Sequence, residues 1–141
     1  MSKFFEILKL LRRCSFTNSV IKKDIIIYDC VNSFEVSKAL PDKKYFILSS
    51  RKEKIKKLFL NKNIIFSILF NFFARSLKLN YMIGLIKEIN PKIVITNIDN
   101  SVEFSLLARY FNNKINFIAI QNANRGDMFD NYNNYNKMFF F

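Results

Sequence analysis

Apolar and polar positions alternate along the chain in two distinct periods. Compact apolar runs, rich in β-branched and aromatic residues, occur at "DIIIYD" (24–29), "KYFILSS" (44–50), "KIVIT" (92–96), "INFIAI" (115–120) and "MFFF" (138–141). Runs of this length bounded by polar residues predict buried strands. Between them lie stretches with helical spacing. In residues 1–16, Phe4, Ile7, Leu8 and Leu11 fall on one arc and Lys9, Arg12 and Arg13 on another, as in a basic amphipathic helix. A charge-led segment, 51–60, predicts a helix with a solvated face, and a longer helical segment is expected over 65–89. Asn90-Pro91 ends it, because a residue before proline is pushed out of the α region. Residues 101–111 predict a further helix with Ser101 as its cap, although Phe104 stands where a capping box would carry an acid. The most apolar stretch, "IIFSILFNFFA" (64–74), is too short to span a bilayer and predicts a buried helix.

Strands separated by helices imply crossover connections and a mostly parallel sheet. The expected architecture is a single α/β domain over 21–141, Rossmann-like, with helices flanking the sheet and the basic amphipathic helix of 1–20 ahead of it. In a parallel sheet all carboxyl ends lie along one edge, where ligands bind. Here those ends share a composition: Asp29 and Asn32 after the first run, Thr96, Asn97, Asp99 and Asn100 after "KIVIT", and Gln121, Asn122 and Arg125 after "INFIAI". They are expected to converge on one rim. Asn, Asp and Ser also end strands simply by satisfying nearby backbone groups, so each cluster has a local explanation beside the functional one. Arg125 suits a phosphate or carboxylate through its planar fork. Asp99 is the candidate base, and equally a turn residue.

Composition narrows the chemistry. The 141 residues are 50% hydrophobic and 24% charged, enough to build a core and unlike a disordered chain. A formal charge of +12 favours anionic partners, but Lys, Asn, Ile and Phe all have AT-rich codons, so genomic bias is a competing source of the excess. With no histidine and only Cys14 and Cys30, zinc sites of Cys/His spacing and histidine-activated nucleophiles are excluded, and no metal site is expected. The cysteines read as reduced thiols of a cytoplasmic protein. Two glycines, Gly84 and Gly126, cannot form either the dinucleotide-binding turn or the phosphate-binding loop, so no cofactor is implied. Paired acids at D-x-D spacing are missing too. The N-terminus lacks the apolar core of a secretion signal.

Four stretches together resemble bacterial surface carbohydrate biosynthesis proteins: K-D-I-I-I-Y-D (23–29), I-N-P-K-I-V-I-T-N-I-D-N (89–100), I-A-I-Q-N-A-N-R-G-D-M-F-D (118–130) and N-K-M-F-F-F (136–141). Ala123 stands where that family places glycine. The resemblance implies a glycosyltransferase-like enzyme of GT-B type, with two Rossmann-like domains facing across a cleft. This chain would be its N-terminal, acceptor-side half, a fragment without turnover alone. The complete enzyme would use a nucleotide sugar and a glycan acceptor. Thr96, Asp99 and Asn100 would line the cleft, with Gln121, Asn122 and Arg125 beside them. Two rivals come from other classes. One is a nucleic-acid-binding module built on Lys52, Lys54, Lys56 and Lys57, although no nucleic acid is expected as a partner. The other is an adaptor whose N-terminal helix contacts anionic lipid at the inner face of the membrane.

Overall fold

The structure is a computed structural model, which describes residues 12–29, 33–40, 44–70, 76–98, 100–112, 114–121 and 137–140. In chain order its elements are β1 (Ser15–Thr17), β2 (Ile25–Tyr28), α1 (Ser33–Lys38), β3 (Tyr45–Leu48), a 3₁₀ turn (Lys52–Lys54), β4 (Lys57–Phe59), α2 (Lys62–Phe70), α3 (Leu77–Ile89), β5 (Ile93–Thr96), α4 (Val102–Phe111), β6 (Asn116–Gln121) and β7 (Lys137–Phe140). The chain divides into two compact units, one comprising 1–21 and 49–88, the other 22–48 and 89–141.

The second unit holds a five-stranded sheet of order β3-β2-β5-β6-β7 in which every neighbouring pair is parallel. The common strand direction expected from the sequence is therefore present. Its central strands are the most buried: Ile26, Ile27, Tyr28, Val94, Phe117 and Ala119 are almost wholly excluded from solvent, whereas Ile47 on the edge strand β3 is exposed. Helix α4 covers this sheet with a stripe at i, i+3, i+4 and i+7, formed by Phe104, Leu107, Ala108 and Phe111. Aromatic rings bind the layers. Phe104 lies 5.3 Å from Tyr28 and 5.2 Å from Phe117, and Phe111 stacks on Phe117 at 5.9 Å. Such pairs contribute about 0.5–1.5 kcal/mol each beyond the area they bury.

Ser101 caps α4 as its position in the sequence predicts, its Oγ accepting the Phe104 N–H at 3.2 Å. Helix α3 ends at Ile89, and Asn90 turns the chain with φ of 53° before Pro91, the left-handed stop that asparagine tolerates.

The first unit pairs β1 with β4 in parallel, Ser15 opposite Lys57 and Thr17 opposite Phe59. Asn61 caps α2 by accepting the Ile64 N–H at 2.9 Å, and its amide donates to Glu88 on α3 at 2.8 Å. Helices α2 and α3 approach closely at Gly84, where an added Cβ would stand 3.1 Å from the Ile64 Cα. The Tyr81 hydroxyl accepts the Phe59 N–H at 3.0 Å and so ties α3 to β4. Burial pushes this phenol above its ordinary pKa of 10.0, an effect that the hydrogen bond from Phe59 partly opposes and Cys14 slightly reinforces.

Three expectations from the sequence are corrected here. Residues 51–60 form a 3₁₀ turn and strand β4 rather than a helix. Leu58 alone is buried in that strand, and its flanking backbone groups are satisfied from residues some forty positions away, through the Ser15 N–H to the Lys56 carbonyl (3.0 Å) and the Leu60 N–H to the Thr17 carbonyl (2.8 Å). A remote partner has overridden local helix propensity. The segment 65–89 is two helices, and the first is not a buried one: α2 hides only Ile64 and Ser67, while Ile65, Phe66, Leu69 and Phe70 are exposed. Of the helix expected over 1–20, Arg12 and Arg13 are helical, but β1 already begins at Ser15; residues 1–11 lie outside the described residues. No helix among the described residues is long and apolar enough to cross a membrane.

Candidate functional site at the carboxyl edge

Within the second unit the chain lays β3 on one side of β2 and then β5, β6 and β7 on the other. The direction of winding thus reverses between β2 and β5. At such a switch point the connections leaving adjacent strands diverge to opposite faces of the sheet and open a crevice beyond their carboxyl ends.

Two polar strand ends meet there. β2 ends at Tyr28, and Asp29 follows with φ of 71° and only 4% exposure. A non-glycine residue in this left-handed region is uncommon, and Asp is among the few that enter it at modest cost. The Asp29 N–H donates to the Leu48 carbonyl at 2.8 Å, which continues the ladder to β3 while the chain turns away. On β5 the residue in step with Tyr28 is Thr96, one beyond the Ile27/Ile95 pair. Thr96 is fully buried, and its Oγ1 accepts the Ile98 N–H at 3.1 Å, fixing the loop that carries Asn97. Asn97 is half-buried and Asn100 exposed.

A further link joins the two strand ends to the helix that follows. The Tyr28 hydroxyl donates to Glu103 Oε2 at 3.0 Å, so a phenol at the tip of β2 holds a carboxylate in the first turn of α4. That end of a helix favours negative charge. Neither Tyr28 nor Glu103 stands out in the sequence as a site residue. The signals were a tyrosine closing an apolar run and an acid just inside a helix start, but 75 positions separate them.

Of the residues expected at the rim, Asp29, Thr96, Asn97 and Asn100 all belong to the adjacent ends of β2 and β5. Gln121 ends β6, the next strand, with its backbone two positions beyond the Thr96/Ala119 pair. Asn32, Asp99, Asn122 and Arg125 lie outside the described residues. Of the described part of the edge, solvent reaches the side-chain amides of Asn97 and Asn100, the Ser101 hydroxyl and the Glu103 carboxylate, while Asp29 and Thr96 are buried. That set can donate to and accept from a ligand rich in hydroxyls. No cluster of three or more metal-ligating side chains occurs among the described residues. Comparison with protein-family models, curated proteins and solved structures found no match.

Proposed function

We propose that this chain is the acceptor-side domain of a glycosyltransferase-like protein of GT-B type that acts in surface carbohydrate biosynthesis, joined in the active enzyme to a second domain that binds the nucleotide sugar. The observation that carries this is the meeting of Asp29 with Thr96 and Asn97 at the point where strand order reverses. A sugar acceptor is recognised by many neutral hydrogen bonds, and side-chain amides, hydroxyls and a carboxylate supply them in both senses. The sequence resemblance adds the substrate class. Asp99 is the candidate base, and Asn32, Gln121, Asn122 and Arg125 complete the proposed rim. As in the sequence reading, a cytoplasmic protein with peripheral membrane contact fits this role.

The test is ligand-observed saturation-transfer NMR on the whole chain, with neutral oligosaccharides in one arm and a nucleotide sugar in the other. Saturation of the oligosaccharide signals, reduced several-fold by Asp29→Asn, is the expected result. Asparagine keeps the left-handed backbone accessible while it removes the charge and turns one acceptor oxygen into a donor. Transfer to the nucleotide sugar with none to any oligosaccharide would overturn the assignment to the acceptor side. Steeply salt-dependent binding of RNA, with no sugar binding, would overturn the carbohydrate reading as a whole.

A further inference from the structure

The same parallel sheet has an amino edge, and its chemistry is the reverse of the one described above. Asp24, Lys44 and Lys92 immediately precede β2, β3 and β5, and Lys114 stands two residues before β6. With Lys22 and Lys23 they line an open groove of about 560 Å³. Its wall is firm. Ile89 and Pro91 are buried, the Lys92 and Ile93 N–H groups both donate to the Asp24 carbonyl (2.8 and 3.1 Å), and the Asn116 N–H donates to the Lys92 carbonyl at 3.0 Å. Four separate chain segments are thus fixed so that five ammonium groups share one concavity.

Two ordinary explanations for lysines in such a place fall short. Lysines near a helix C-terminus offset its partial negative charge, and the chain enters β5 and β6 directly after the last residues of α3 and α4. Each helix end supplies only about half a charge, however, so two of them offset roughly one lysine. Lys87 and Arg109 already stand in those last turns. Pairing with acids is the other explanation. The groove lining contains one carboxylate, Asp24, which faces Lys92 at 3.4 Å, and Lys23 is engaged in a contact of its own, so the excess is carried by Lys22, Lys44 and Lys114. Three exposed lysines thus remain around a concavity that lies within the usual size range of small-ligand sites, about 300–1,000 Å³.

We infer that this groove at the amino edge of the sheet binds a condensed phosphate, the di- or triphosphate portion of a ligand. Lysine heads are compact point charges without the fork that grips a single carboxylate, and several of them at different heights fit an anion whose charges are spread along a chain of phosphates. Such a group reaches the groove either on a free small molecule or on a lipid headgroup. The inference is independent of the proposed function, since the groove lies at the opposite edge of the sheet from Asp29 and Thr96.

The test uses the full chain, ¹⁵N-labelled, titrated with sodium tripolyphosphate at low ionic strength. Lys44→Gln/Lys114→Gln removes two exposed groove lysines, and Lys54→Gln/Lys62→Gln removes two exposed lysines elsewhere. Amide shifts should concentrate around Asp24, Lys44, Lys92 and Lys114. The groove pair should weaken affinity at least tenfold and the control pair less than threefold, with dispersed spectra confirming that both variants fold. Equal weakening by both pairs, or shifts scattered over the surface, would reduce the groove to bulk charge and overturn the inference. Absence of any shift would do the same. A second arm sediments the chain with phosphatidylcholine vesicles that carry either a lipid diphosphate or phosphatidylglycerol matched in charge. Co-sedimentation with the lipid-diphosphate vesicles alone, released by tripolyphosphate and lost in the groove variant, assigns the phosphate to a headgroup, whereas equal co-sedimentation with phosphatidylglycerol would reduce the groove to bulk charge. Tripolyphosphate binding without co-sedimentation assigns it to a free ligand.

Discussion

Replacing Gly84 by alanine sets two well-calibrated effects against each other. In an exposed helix interior the change favours folding by about 1 kcal/mol, because glycine is the poorest helix former after proline. Here the new Cβ would stand 3.1 Å from the Ile64 Cα, 3.1 Å from the Ser67 Cβ and 3.5 Å from the Ile64 carbonyl oxygen. Comfortable carbon–carbon contacts are about 3.5–4.0 Å, so two contacts are short by roughly half an ångström. Rotamer changes cannot relieve both, since one of the atoms is main chain and α2 as a whole must move. Its position is held at the capped start by Asn61, which also bonds Glu88 on α3. Overpacking of this kind costs about 1–3 kcal/mol. The expected net loss for Gly84→Ala is therefore about 0–2 kcal/mol, a fall in Tm of up to roughly 7 °C for a chain of this size. Gly84→Val adds two methyl groups against the same wall and gives up χ1 freedom, so its loss should reach about 3 kcal/mol or more. Urea unfolding followed by far-UV circular dichroism, with thermal melts alongside, measures both. A Gly84→Ala protein that melts 3–4 °C higher than wild type would show propensity winning, and the close approach of α2 and α3 at this residue would then be wrong.

Three further outcomes follow from the geometry. Asp29→Val forces a β-branched residue to φ near 71° and should be about 2 kcal/mol less stable than Asp29→Asn in urea unfolding; equal stability of the two would deny the left-handed backbone. A double-mutant cycle of Tyr28→Phe and Glu103→Ala should return a coupling of about 1–2 kcal/mol for the phenol–carboxylate bond, and a coupling near zero would disprove it. The third concerns pH. Because burial raises the Tyr81 pKa above 10.0, the folded state holds its proton more tightly than the unfolded state, so this contribution to stability is complete below pH 10 and is lost as pH rises from there through the folded pKa. The 295 nm titration difference between wild type and Tyr81→Phe should accordingly be displaced to the alkaline side of 10.0, and a step centred at 10.0 would contradict the buried phenol.

What could be read from the sequence divides by the range of the interaction involved. Strands β2, β3, β5 and β6 were legible because each is a short apolar run whose identity depends on its own residues and their polar borders. So was the start of α4, since Ser101 acts on an amide three positions away. The common direction of the strands followed from the alternation of elements alone. β1 and β4 were not legible: each is three residues long, and each exists because the other, about forty positions distant, supplies its hydrogen bonds. At the candidate site the same division holds. Asp29 and Thr96 could be placed at one edge by topology, but the bond from Tyr28 to Glu103 depends on how α4 lies across the sheet, and no local pattern encodes that. The exposure of Phe66, Leu69 and Phe70 on α2 was likewise invisible, because an apolar run carries no statement of what covers it.

One strand direction also accounts for the difference between the two edges of the sheet. At the carboxyl edge the chain leaves β5 towards the first turn of α4, where backbone N–H groups point outward and negative or neutral partners are favoured; Ser101 and Glu103 stand there, and Asp29 ends the neighbouring β2. At the amino edge the chain returns from helix ends whose carbonyls favour cations, and the lysines of the groove exceed what those carbonyls can offset. A ligand at the first edge is held by short hydrogen bonds that salt scarcely screens, whereas one at the second is held by exposed charges and weakens as the Debye length shortens from about 30 Å at 0.01 M to about 8 Å at 0.15 M salt. Raising salt over that range should therefore abolish most tripolyphosphate binding while leaving oligosaccharide binding nearly unchanged. If both declined together, the two ligands would be sharing one electrostatic surface, and the separation of functions between the edges would fail even though the fold stood.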